Sequence, residues 1–352
     1  MAQFTVVAQL PAQGRLGLVE QRYAWELEAL RPIGAEIVEV AAATDEEFLA
    51  GCSGCDAIIT SWGFPITRRL IESLQRCRVI GVGSVGVDMV DIDAATEAGI
   101  VVTNTPDIFI EEVADHAMAL LLGCARRVTE MHQMVVEGRW FEGRPLLSSY
   151  PRLWGSTLGL VSFGNVARAV ARRARAFGLH LAAYDPFVSE LTMTAEGVEP
   201  VTSLAELLER SDHVSVHAPL NRDTYHLIGA DALGHMRQGA VLVNTGRGGV
   251  VDELALEQAL ASGHLAAAAL DVLEQEPPGP DHPLLQRPNV ILSPHVASAT
   301  SRMRPETRRR VGREVALVLS GRWPRSSVNP TVLPKVALER WQPYPMERGP
   351  NR

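Results

Sequence analysis

The chain has 352 residues, of which 46% are hydrophobic and only 5% aromatic, and its 41 acidic and 33 basic side chains give a net charge of −8. This length predicts two domains, and the acidic balance argues against a nucleic-acid partner. Lys335 is the only lysine. A Schiff-base enzyme or a Walker-type phosphate loop is therefore hard to build in the body of this chain.

The amino-terminal residues show no basic segment followed by an apolar core, and no apolar run approaches the roughly 18 residues of a membrane helix. We therefore expect no signal peptide and no membrane partner. Cysteines occur at Cys52, Cys55, Cys77 and Cys124. The C-x-x-C pair lacks the second pair or nearby histidines of a zinc site, so we expect structural thiols in a reducing cytoplasm; a redox or metal role is the alternative.

The first hundred residues alternate between two patterns. Apolar, β-branched runs occur at 4–8, 36–40, 57–60, 79–82 and 100–103, and helix-like stretches lie at 19–30, 45–50 and 68–74. This alternation is typical of a parallel sheet covered by helices. One long helix is predicted over 108–136, with Asp107 as its cap, followed by an irregular connection over 143–155.

A second alternating region follows. It predicts strands at 158–162, 181–185, 213–218, 240–244, 266–270 and 290–292, and helices at 165–177, 204–209, 253–261 and 300–319. Six strands with crossover helices are what a doubly wound dinucleotide-binding domain requires. The segment after Pro324 is rich in proline and arginine, and we expect it to lie along the surface.

Two glycine motifs compete for the role of cofactor loop. Residues 81–86 are the only perfect G-x-G-x-x-G, but the helix predicted after them is too short to place its start under a pyrophosphate, and Asp88 and Asp91 bring negative charge there. Residues 162–167 match imperfectly, because Ser162 stands at the first glycine. They end a strand, open an amphipathic helix and precede Asp185 by about the ribose-acid spacing. We predict that this second loop binds the cofactor.

Three polar residues, Arg247, Glu276 and His295, each follow a predicted strand of the second region. Loops at the carboxyl ends of parallel strands meet at one crevice, so these side chains are expected to converge. Histidine exchanges a proton near neutral pH, a neighbouring carboxylate favours its protonated form, and arginine binds a carboxylate through two hydrogen bonds. The combination fits carbonyl reduction, in which a hydride reaches carbon and a proton reaches oxygen.

Over nearly its whole length the chain resembles the D-isomer-specific 2-hydroxyacid dehydrogenases. The matching segments are 83–91, 104–106, 113–117, 158–164, 243–248, 269–272 and 293–295. The resemblance implies an α/β fold with two Rossmann-like or flavodoxin-like parallel-sheet domains. An NAD-binding domain (106–301) would be inserted into a discontinuous substrate, or catalytic, domain (1–105 and 302–352). It also implies NAD-dependent interconversion of a 2-oxo acid and a D-2-hydroxy acid, and a homodimer formed through the long helix region.

The resemblance further implies a set of site residues. Arg247, Glu276 and His295 would be catalytic, and the backbone of Val85 and Gly86 would hold the substrate carboxylate together with Arg247. The implied cofactor-binding residues are Gly164, Asn165, Val166, Asp185, Ala218, Pro219, Thr245, Arg247, Asp271 and His295. Among them, Asn165 and Val166 would lie at the pyrophosphate and Asp271 near the nicotinamide carboxamide. Two positions depart from the family pattern: Ser162, and Asp115 where glutamate is commoner.

The sequence leaves several alternative functions open. Formate dehydrogenases look similar but carry glutamine at the position of Glu276, and phosphite-oxidising and adenosylhomocysteine-type relatives rely on a lysine. Corepressors related to these dehydrogenases use the NAD-bound fold as a sensing module, which is the main alternative to an enzyme. His213 and His217 would share one strand face, but no third metal ligand is apparent.

Two finer expectations concern specificity. Asp185 is expected to accept hydrogen bonds from the adenosine ribose and to repel a 2′-phosphate, which favours NAD over NADP. The loop after the third strand, residues 60–63, has Trp62 as an apolar wall and no cation before Arg68 and Arg69. This composition predicts a substrate without a phosphate group.

Overall fold

The structure is a computed structural model that describes residues 3–10, 18–42, 44–60, 65–148 and 150–340. The chain forms two compact units, one joining Met1–Ile108 to Ser301–Arg352 and the other comprising Phe109–Thr300. Each unit is built on one parallel sheet, of five and seven strands respectively. The predicted α/β fold with two parallel sheets is confirmed.

The first unit alternates strands and short helices. Its strands are β1 (Phe4–Leu10), β2 (Ala35–Ala41), β3 (Ala57–Thr60), β4 (Val79–Val82) and β5 (Val101–Thr103). Its helices are α1 (Val19–Arg22), α2 (Ala24–Leu30), α3 (Asp45–Gly51), α4 (Arg68–Ser73) and α5 (Ile92–Glu97). The strand order is β2-β1-β3-β4-β5. The central strands β3 and β4 are buried throughout, because helices cover both faces of the sheet.

The perfect glycine motif lies in this unit, after β4. The helix that follows it, α5, has six residues, and the carboxylate of its N-cap Asp91 accepts the N–H of Ala94 at 2.8 Å. The helix is as short as the sequence predicts, and an acidic side chain already binds its amino-terminal end. Both features disfavour a pyrophosphate at this position.

The second unit contains the longer alternation. Its strands are β6 (Thr157–Val161), β7 (His180–Tyr184), β8 (Glu199–Pro200), β9 (His213–Val216), β10 (Ala240–Asn244), β11 (Leu265–Leu270) and β12 (Val290–Leu292). Its helices are α6 (Ile110–Ala125), α7 (Val128–Val136), α8 (Trp140–Ser148), α9 (Asn165–Ala176), α10 (Glu190–Ala195), α11 (Leu204–Arg210), α12 (Ala230–His235) and α13 (Glu253–Ala261). All neighbouring strands are parallel, in the order β12-β11-β10-β9-β6-β7-β8.

This order creates a crevice at a defined place. From β6 the chain runs outward through β7 and β8, then returns to the other side of β6 to form β9. The strand order therefore reverses between β6 and β9, which is where doubly wound sheets bind ligands. The sequence predicts six of these strands and misses β8, whose two residues, Glu199 and Pro200, are a charged residue and a proline, neither of which is typical of strands.

Three local predictions are wrong. The long helix is two helices, because α6 ends at Ala125 and Arg127 takes a positive φ of 51° before α7. Residues 143–148 of the connection expected to be irregular belong to α8, in which Pro145 removes one N–H donor without ending the helix. Asp107 is not the cap of α6; Phe109 is the N-cap, and the Asp107 carboxylate accepts hydrogen bonds from Arg310 at 2.9 and 3.0 Å.

The chain finally returns to the first unit as α14 (Met303–Leu319), which packs on α2. Gly312 permits this approach, since a Cβ there would lie 2.7 Å from the backbone of Glu26. The following segment also packs on this unit, where Val328 N–H donates to Val102 O at 2.8 Å. None of the helices in the described ranges is long and apolar enough to cross a membrane.

Candidate active site

The site residues predicted in the second unit all follow strands at one edge of the sheet. Gly164, Asn165 and Val166 follow β6, Asp185 follows β7, Ala218 and Pro219 follow β9, Thr245 and Arg247 follow β10, Asp271 and Glu276 follow β11, and His295 follows β12. Because the strands are parallel, these loops share the carboxyl edge of the sheet. The fold therefore gathers residues that are up to 131 positions apart in the chain.

His295 and Glu276 form a direct pair. His295 Nδ1 lies 2.7 Å from Glu276 Oε2, and the two side chains are 23% and 29% exposed. The other carboxylate oxygen accepts the N–H of Leu273 at 3.0 Å. Burial raises the pKa of Glu276, but the hydrogen bonds from His295 and Leu273 and the nearby charge of Arg247 outweigh it, so the net shift is downward. The geometry favours an ionised carboxylate beside a protonatable imidazole.

The loop that carries His295 is strained and is held by Asp271. His295 has a positive φ of 52°, a conformation that costs a non-glycine residue on the order of 1–3 kcal/mol. Its N–H donates to the Asp271 carbonyl at 2.8 Å, and the Asp271 carboxylate accepts the N–H groups of Val296 and Ala297, both at 2.9 Å. Asp271 is 1% exposed. A buried acid thus fixes the backbone on the carboxyl side of the histidine.

The turn that carries Arg247 is shaped by residues that sequence reasoning missed. The buried Asn244 side chain accepts the N–H of Gly246 and donates to Arg247 O, both at 2.9 Å. Gly248 lets this turn approach the next loop, since a Cβ there would lie 1.9 Å from the carbonyl carbon of Leu273. An Asn two residues before a Gly is a known turn signal that points to this role.

A second missed residue, Glu253, supports the loop that carries Glu276. Its carboxylate is mostly buried, accepts the N–H of Glu274 at 2.8 Å and lies 2.8 Å from His282 Nε2. Glu253 is the first residue of α13, where a carboxylate is favoured by the helix dipole. The sequence shows the helix start but not the distant loop that this acid holds.

The start of α9 fits a dinucleotide pyrophosphate. Gly164 is its N-cap and, having no side chain, does not cap the first-turn N–H groups. A Cβ at Gly164 would meet no atom within 4 Å, so open space lies beside this helix start. The twelve-residue helix therefore presents backbone donors and a positive dipole end to an anion. Asn165 and Val166 are the first two residues of α9.

Ser162 and Asp185 connect this loop to the next strand. Ser162 takes a positive φ of 72°, and its hydroxyl donates to Asp185 Oδ2 at 3.1 Å. The same oxygen accepts the N–H of Phe163 at 2.8 Å, and Oδ1 accepts the N–H of Phe187 at 2.8 Å. Three donors of the protein therefore already orient this carboxylate, and Oδ1 has the greater remaining capacity to accept a ligand hydroxyl.

Further polar groups line the strand ends. Thr245 is 9% exposed, and its hydroxyl oxygen has no hydrogen-bond partner among the residues that the structure describes. Such a buried orphan group calls for a ligand or water. Ala218 is buried, with its carbonyl oxygen beside Gly246, and Pro219 is exposed. Asp115, the second departure from the family pattern, lies on α6 and pairs with Arg173 of α9 at 2.6 Å.

In the first unit, Val85 and Gly86 lie in the loop after β4. Val85 O accepts the side-chain amide of Asn104 at 2.7 Å, and Gly86 O accepts the hydroxyl of Ser84 at 2.6 Å. These bonds fix both carbonyl groups. The predicted substrate wall at Trp62 falls on residues 61–64, which lie outside the described residues.

His213 is the first residue of β9, and His217 directly follows the strand. Burial lowers the pKa of His217 to about 4, and its Nε2 lies 2.9 Å from the Ser215 hydroxyl. Burial also lowers the pKa of His213. Among the described ranges, no group of three or more histidine, cysteine or acidic side chains has a geometry that could hold a metal ion. The four cysteines are buried and form no disulfide.

Comparisons with known proteins identify a family. The family model for the "D-isomer specific 2-hydroxyacid dehydrogenase, NAD binding domain" matches residues 118–297. A glyoxylate reductase from Korarchaeum cryptofilum is 43% identical over 79% of this chain and 84% of its own length. A D-3-phosphoglycerate dehydrogenase from Methanocaldococcus jannaschii is 38% identical over 87% of this chain, which spans only 58% of that relative.

A solved structure agrees with both comparisons. It is an NADPH-dependent glyoxylate/hydroxypyruvate reductase from Sinorhizobium meliloti in complex with NADP and malonate, with a TM-score of 0.79 and 32% identity over 96% of this chain and all of that one. The matched domain of the present chain contains the start of α9, Asp185 after β7 and the His295–Glu276 pair. The chain belongs to the D-isomer specific 2-hydroxyacid dehydrogenases, and its second unit contains the NAD-binding domain of that family.

Proposed function

We propose that this protein is an NAD-dependent D-2-hydroxyacid dehydrogenase that interconverts a 2-oxo acid and a D-2-hydroxy acid. The observation that carries the proposal is the His295–Glu276 pair, 2.7 Å apart at the carboxyl edge of an NAD-binding sheet. A histidine held by an ionised carboxylate suits proton transfer to a carbonyl oxygen near neutral pH. The glutamate also distinguishes the site from formate dehydrogenases, which carry glutamine at this position.

In this mechanism the bound nicotinamide supplies or accepts the hydride at the substrate carbon. His295 uses Nε2 to give a proton to the carbonyl oxygen in reduction and to take it back in oxidation. Glu276 holds Nδ1, which fixes the tautomer and stabilises the imidazolium. Arg247 binds the substrate carboxylate and polarises the carbonyl, and the backbone of Val85 and Gly86 is the further carboxylate contact that the family resemblance implies.

Three observations support the cofactor assignment. The α9 start offers donors to the pyrophosphate, the Thr245 hydroxyl is a buried group without a partner in the described ranges, and Asp185 is held in place by three donors. Asp271 Oδ2 accepts one N–H, from Ala297, which leaves acceptor capacity for the nicotinamide carboxamide. Asp185 would repel a 2′-phosphate, so we propose that NAD(H) is preferred over NADP(H).

We further propose a homodimer formed through α7 and α8. Large apolar side chains are exposed there, with Trp140 at 69%, Phe141 at 89% and Val136 at 66%. Trp140 also lines an open depression of about 570 Å³, together with Met131, Met134 and neighbouring residues. A contiguous apolar patch of this kind marks an interaction surface. Light scattering after size-exclusion chromatography measures the mass, and Trp140→Glu with Phe141→Glu is expected to give monomers.

The experiment that tests the function is a substrate panel. Glyoxylate, hydroxypyruvate, pyruvate and larger branched or aromatic 2-oxo acids are each incubated with NADH or NADPH, and oxidation of the cofactor is followed at 340 nm. We expect robust turnover of at least one unphosphorylated 2-oxo acid with NADH, and a product of D configuration by chiral chromatography. Cofactor binding without turnover of any 2-oxo acid would instead favour an NAD-sensing module.

A further inference from the structure

A second histidine lies behind the loop that carries His295. His116 is on α6, its side chain is 26% exposed, and its Nε2 lies 2.9 Å from the hydroxyl of Ser293. The same hydroxyl donates to Asp271 Oδ1 at 2.6 Å, and His116 Nε2 is itself 3.4 Å from that oxygen. The contacts form a continuous chain from α6 through Ser293 to Asp271.

The chemistry of the three side chains determines which group is the donor and which is the acceptor in each of these hydrogen bonds. The Asp271 carboxylate has no proton to donate, so the single hydroxyl proton of Ser293 points to Asp271. Ser293 Oγ therefore accepts in its contact with His116, and His116 Nε2 is the donor. A histidine that donates from Nε2 is neutral with the proton on that atom, or doubly protonated. Either form strengthens the bond from Ser293 to Asp271, since a hydroxyl that accepts becomes a better donor.

Asp271 connects this series of hydrogen bonds to the loop that carries His295. One of its oxygens accepts from both Ser293 Oγ and Val296 N–H, and the other accepts from Ala297 N–H. His295, at a positive φ of 52°, lies between Ser293 and Val296. The position of this carboxylate therefore determines where the backbone after His295 and the side chain of Ser293 before it are held, and Ser293 is the polar side chain through which His116 reaches it.

We propose that His116 is a positioning residue: through Ser293 and Asp271 it holds the His295 loop in its strained, productive conformation. The inference rests on the proposed function, because it assigns His116 to the machinery that presents His295. The role assigned to His116 is to support the backbone that carries His295, and proton exchange with substrate is assigned to His295 alone. Its contribution is to kcat through geometry, not to the binding of either ligand.

The test compares two substitutions at one position in the full-length protein. His116→Gln keeps an N–H donor near the place of Nε2, whereas His116→Leu keeps apolar bulk and removes the donor. With the best 2-oxo acid of the panel, we expect the Leu variant to lose about tenfold in kcat, with the KM for NADH within threefold of wild type. The Gln variant is expected to stay within threefold of wild-type kcat. His180, an exposed histidine at the start of β7, gives the matched control His180→Leu, for which wild-type kinetics are expected.

Coupling to Ser293 makes the test sharper. If the two side chains act in one chain, Ser293→Ala combined with His116→Leu lowers kcat no further than the more severe single variant. If the kcat of the double variant falls by the product of the two single-variant losses, a shared route through Ser293 is contradicted. Equal losses for His116→Gln and His116→Leu, or no loss for Leu, would contradict the positioning role itself.

A readout without substrate or cofactor separates this inference from the proposed function. Hydrogen–deuterium exchange of the peptide that contains Val296 and Ala297 is measured in the cofactor-free protein. We expect faster exchange in His116→Leu than in wild type, and wild-type exchange in His116→Gln and His180→Leu. Unchanged exchange in the Leu variant overturns the proposal whatever the enzyme activity. If the protein reduces no 2-oxo acid but His116→Leu still exchanges faster than wild type, only the proposed function is overturned.

Discussion

The hydroxyl of Ser162 donates a hydrogen bond to the carboxylate of Asp185 across 3.1 Å, from a residue whose φ is +72°. The first position of the cofactor loop needs a left-handed backbone, which glycine adopts at little cost. Serine adopts it here at a cost of about 1–2 kcal/mol. The hydrogen bond to a charged group, typically about 1.5–3 kcal/mol, offsets that cost. The departure from the family pattern is thus linked to the orientation of Asp185.

The first prediction is a preference for NAD(H). A 2′-phosphate would bring negative charge against Asp185, whose orientation is fixed by three donors, and like-charge contact at a partly desolvated site costs on the order of a few kcal/mol. Three arginines of α9 are engaged elsewhere, since Arg172 and Arg173 pair with Glu111 and Arg175 donates to Glu196 O. We expect kcat/KM with NADH to exceed that with NADPH by about a hundredfold.

Asp185→Ser tests the cause of this preference. The variant removes the charge and is expected to reduce the NADH/NADPH ratio of kcat/KM at least tenfold, mainly through KM for the cofactor. His180→Leu serves as control on the same strand, β7. Equal efficiency with the two cofactors in the wild type would remove Asp185 from the role proposed for it.

The second prediction concerns Ser162. Ser162→Ala keeps the strained backbone and loses the hydrogen bond, whereas Ser162→Gly loses the bond but relieves the strain. Because glycine also gains about 0.5–1 kcal/mol of freedom in the unfolded chain, the relief is only partial. By scanning calorimetry we expect the highest melting temperature for wild type, a lower one for Ser162→Gly and the lowest for Ser162→Ala. A melting temperature of Ser162→Ala equal to or above that of Ser162→Gly would show that the positive φ carries no strain.

Much of this architecture is readable from the sequence. The periodicity of residues 158–162 and 240–244, the helix from Asn165 and the acid at Asp185 predict a doubly wound sheet, because strands and crossover helices leave strong apolar patterns. The same patterns place Arg247, Glu276 and His295 after strands. They also disfavour the perfect glycine motif, whose helix is too short.

Other features depend on contacts between distant residues and leave no local signal. The break at Arg127 uses a left-handed residue that is not glycine, with a hydrogen bond to Ala266 O that the sequence does not reveal. Glu253 and Asn244 are ordinary helix-start and turn residues until the fold brings loops to them. The role of Ser293 depends on Asp271, 22 residues earlier in the chain. Site support of this kind is tertiary, so pattern reasoning finds the reactive groups and misses what holds them.

The third prediction addresses the His295–Glu276 pair. His295→Ala is expected to lower kcat by about two to four orders of magnitude while NADH binding, measured by fluorescence titration, persists. Reduction requires protonated His295, and the Glu276 carboxylate stabilises that form. In Glu276→Gln the ionised partner that holds His295 Nδ1 is lost, so kcat for reduction is expected to fall while NADH binding persists. A wild-type kcat in His295→Ala would contradict the assignment.

The fourth prediction is a pH dependence of stability from His217. Burial lowers the pKa of this imidazole to about 4 in the folded state, whereas about 6.5 is expected in the unfolded chain. Between those values the unfolded state binds the extra proton, so stability is fully present above pH 6.5 and is lost as pH falls toward 4. The loss is at most on the order of 3 kcal/mol.

His217→Asn tests that contribution through the slope of the melting temperature against pH. Melting temperatures are measured from pH 4 to pH 7.5 for wild type, His217→Asn and the exposed control His180→Asn. We expect the Asn variant at 217 to show a shallower decline below pH 6.5, even if its absolute stability is lower because packing changes. Parallel curves for all three proteins would mean that His217 accepts a proton as readily folded as unfolded.

The fifth prediction is a substrate without a phosphate group. A phosphate dianion needs an unpaired cation or a helix start close by. The first cations after the loop at 61–64 are neutralised by acids, since Arg68 lies 2.6 Å from Glu97 and Arg69 lies 2.8 Å from Glu46. Both pairs are exposed and individually weak, but they leave little net positive charge at the start of α4. The chain also spans most of the glyoxylate reductase relative but only 58% of the phosphoglycerate dehydrogenase.

The measurement is kcat/KM for hydroxypyruvate and for 3-phosphohydroxypyruvate with NADH, at low and at raised salt. We expect hydroxypyruvate to be preferred at least tenfold, because the phosphate must be desolvated without a compensating charge. Glu97→Gln with Glu46→Gln removes the closest acid from each arginine, although Arg68 keeps Glu72 and Asp91 within 3.9 Å. The double variant is expected to narrow that preference, most visibly at low salt, where exposed charges are least screened. If the wild type prefers the phosphorylated acid tenfold or more, a cation reaches the substrate from elsewhere, and the apolar wall inferred at Trp62 is wrong.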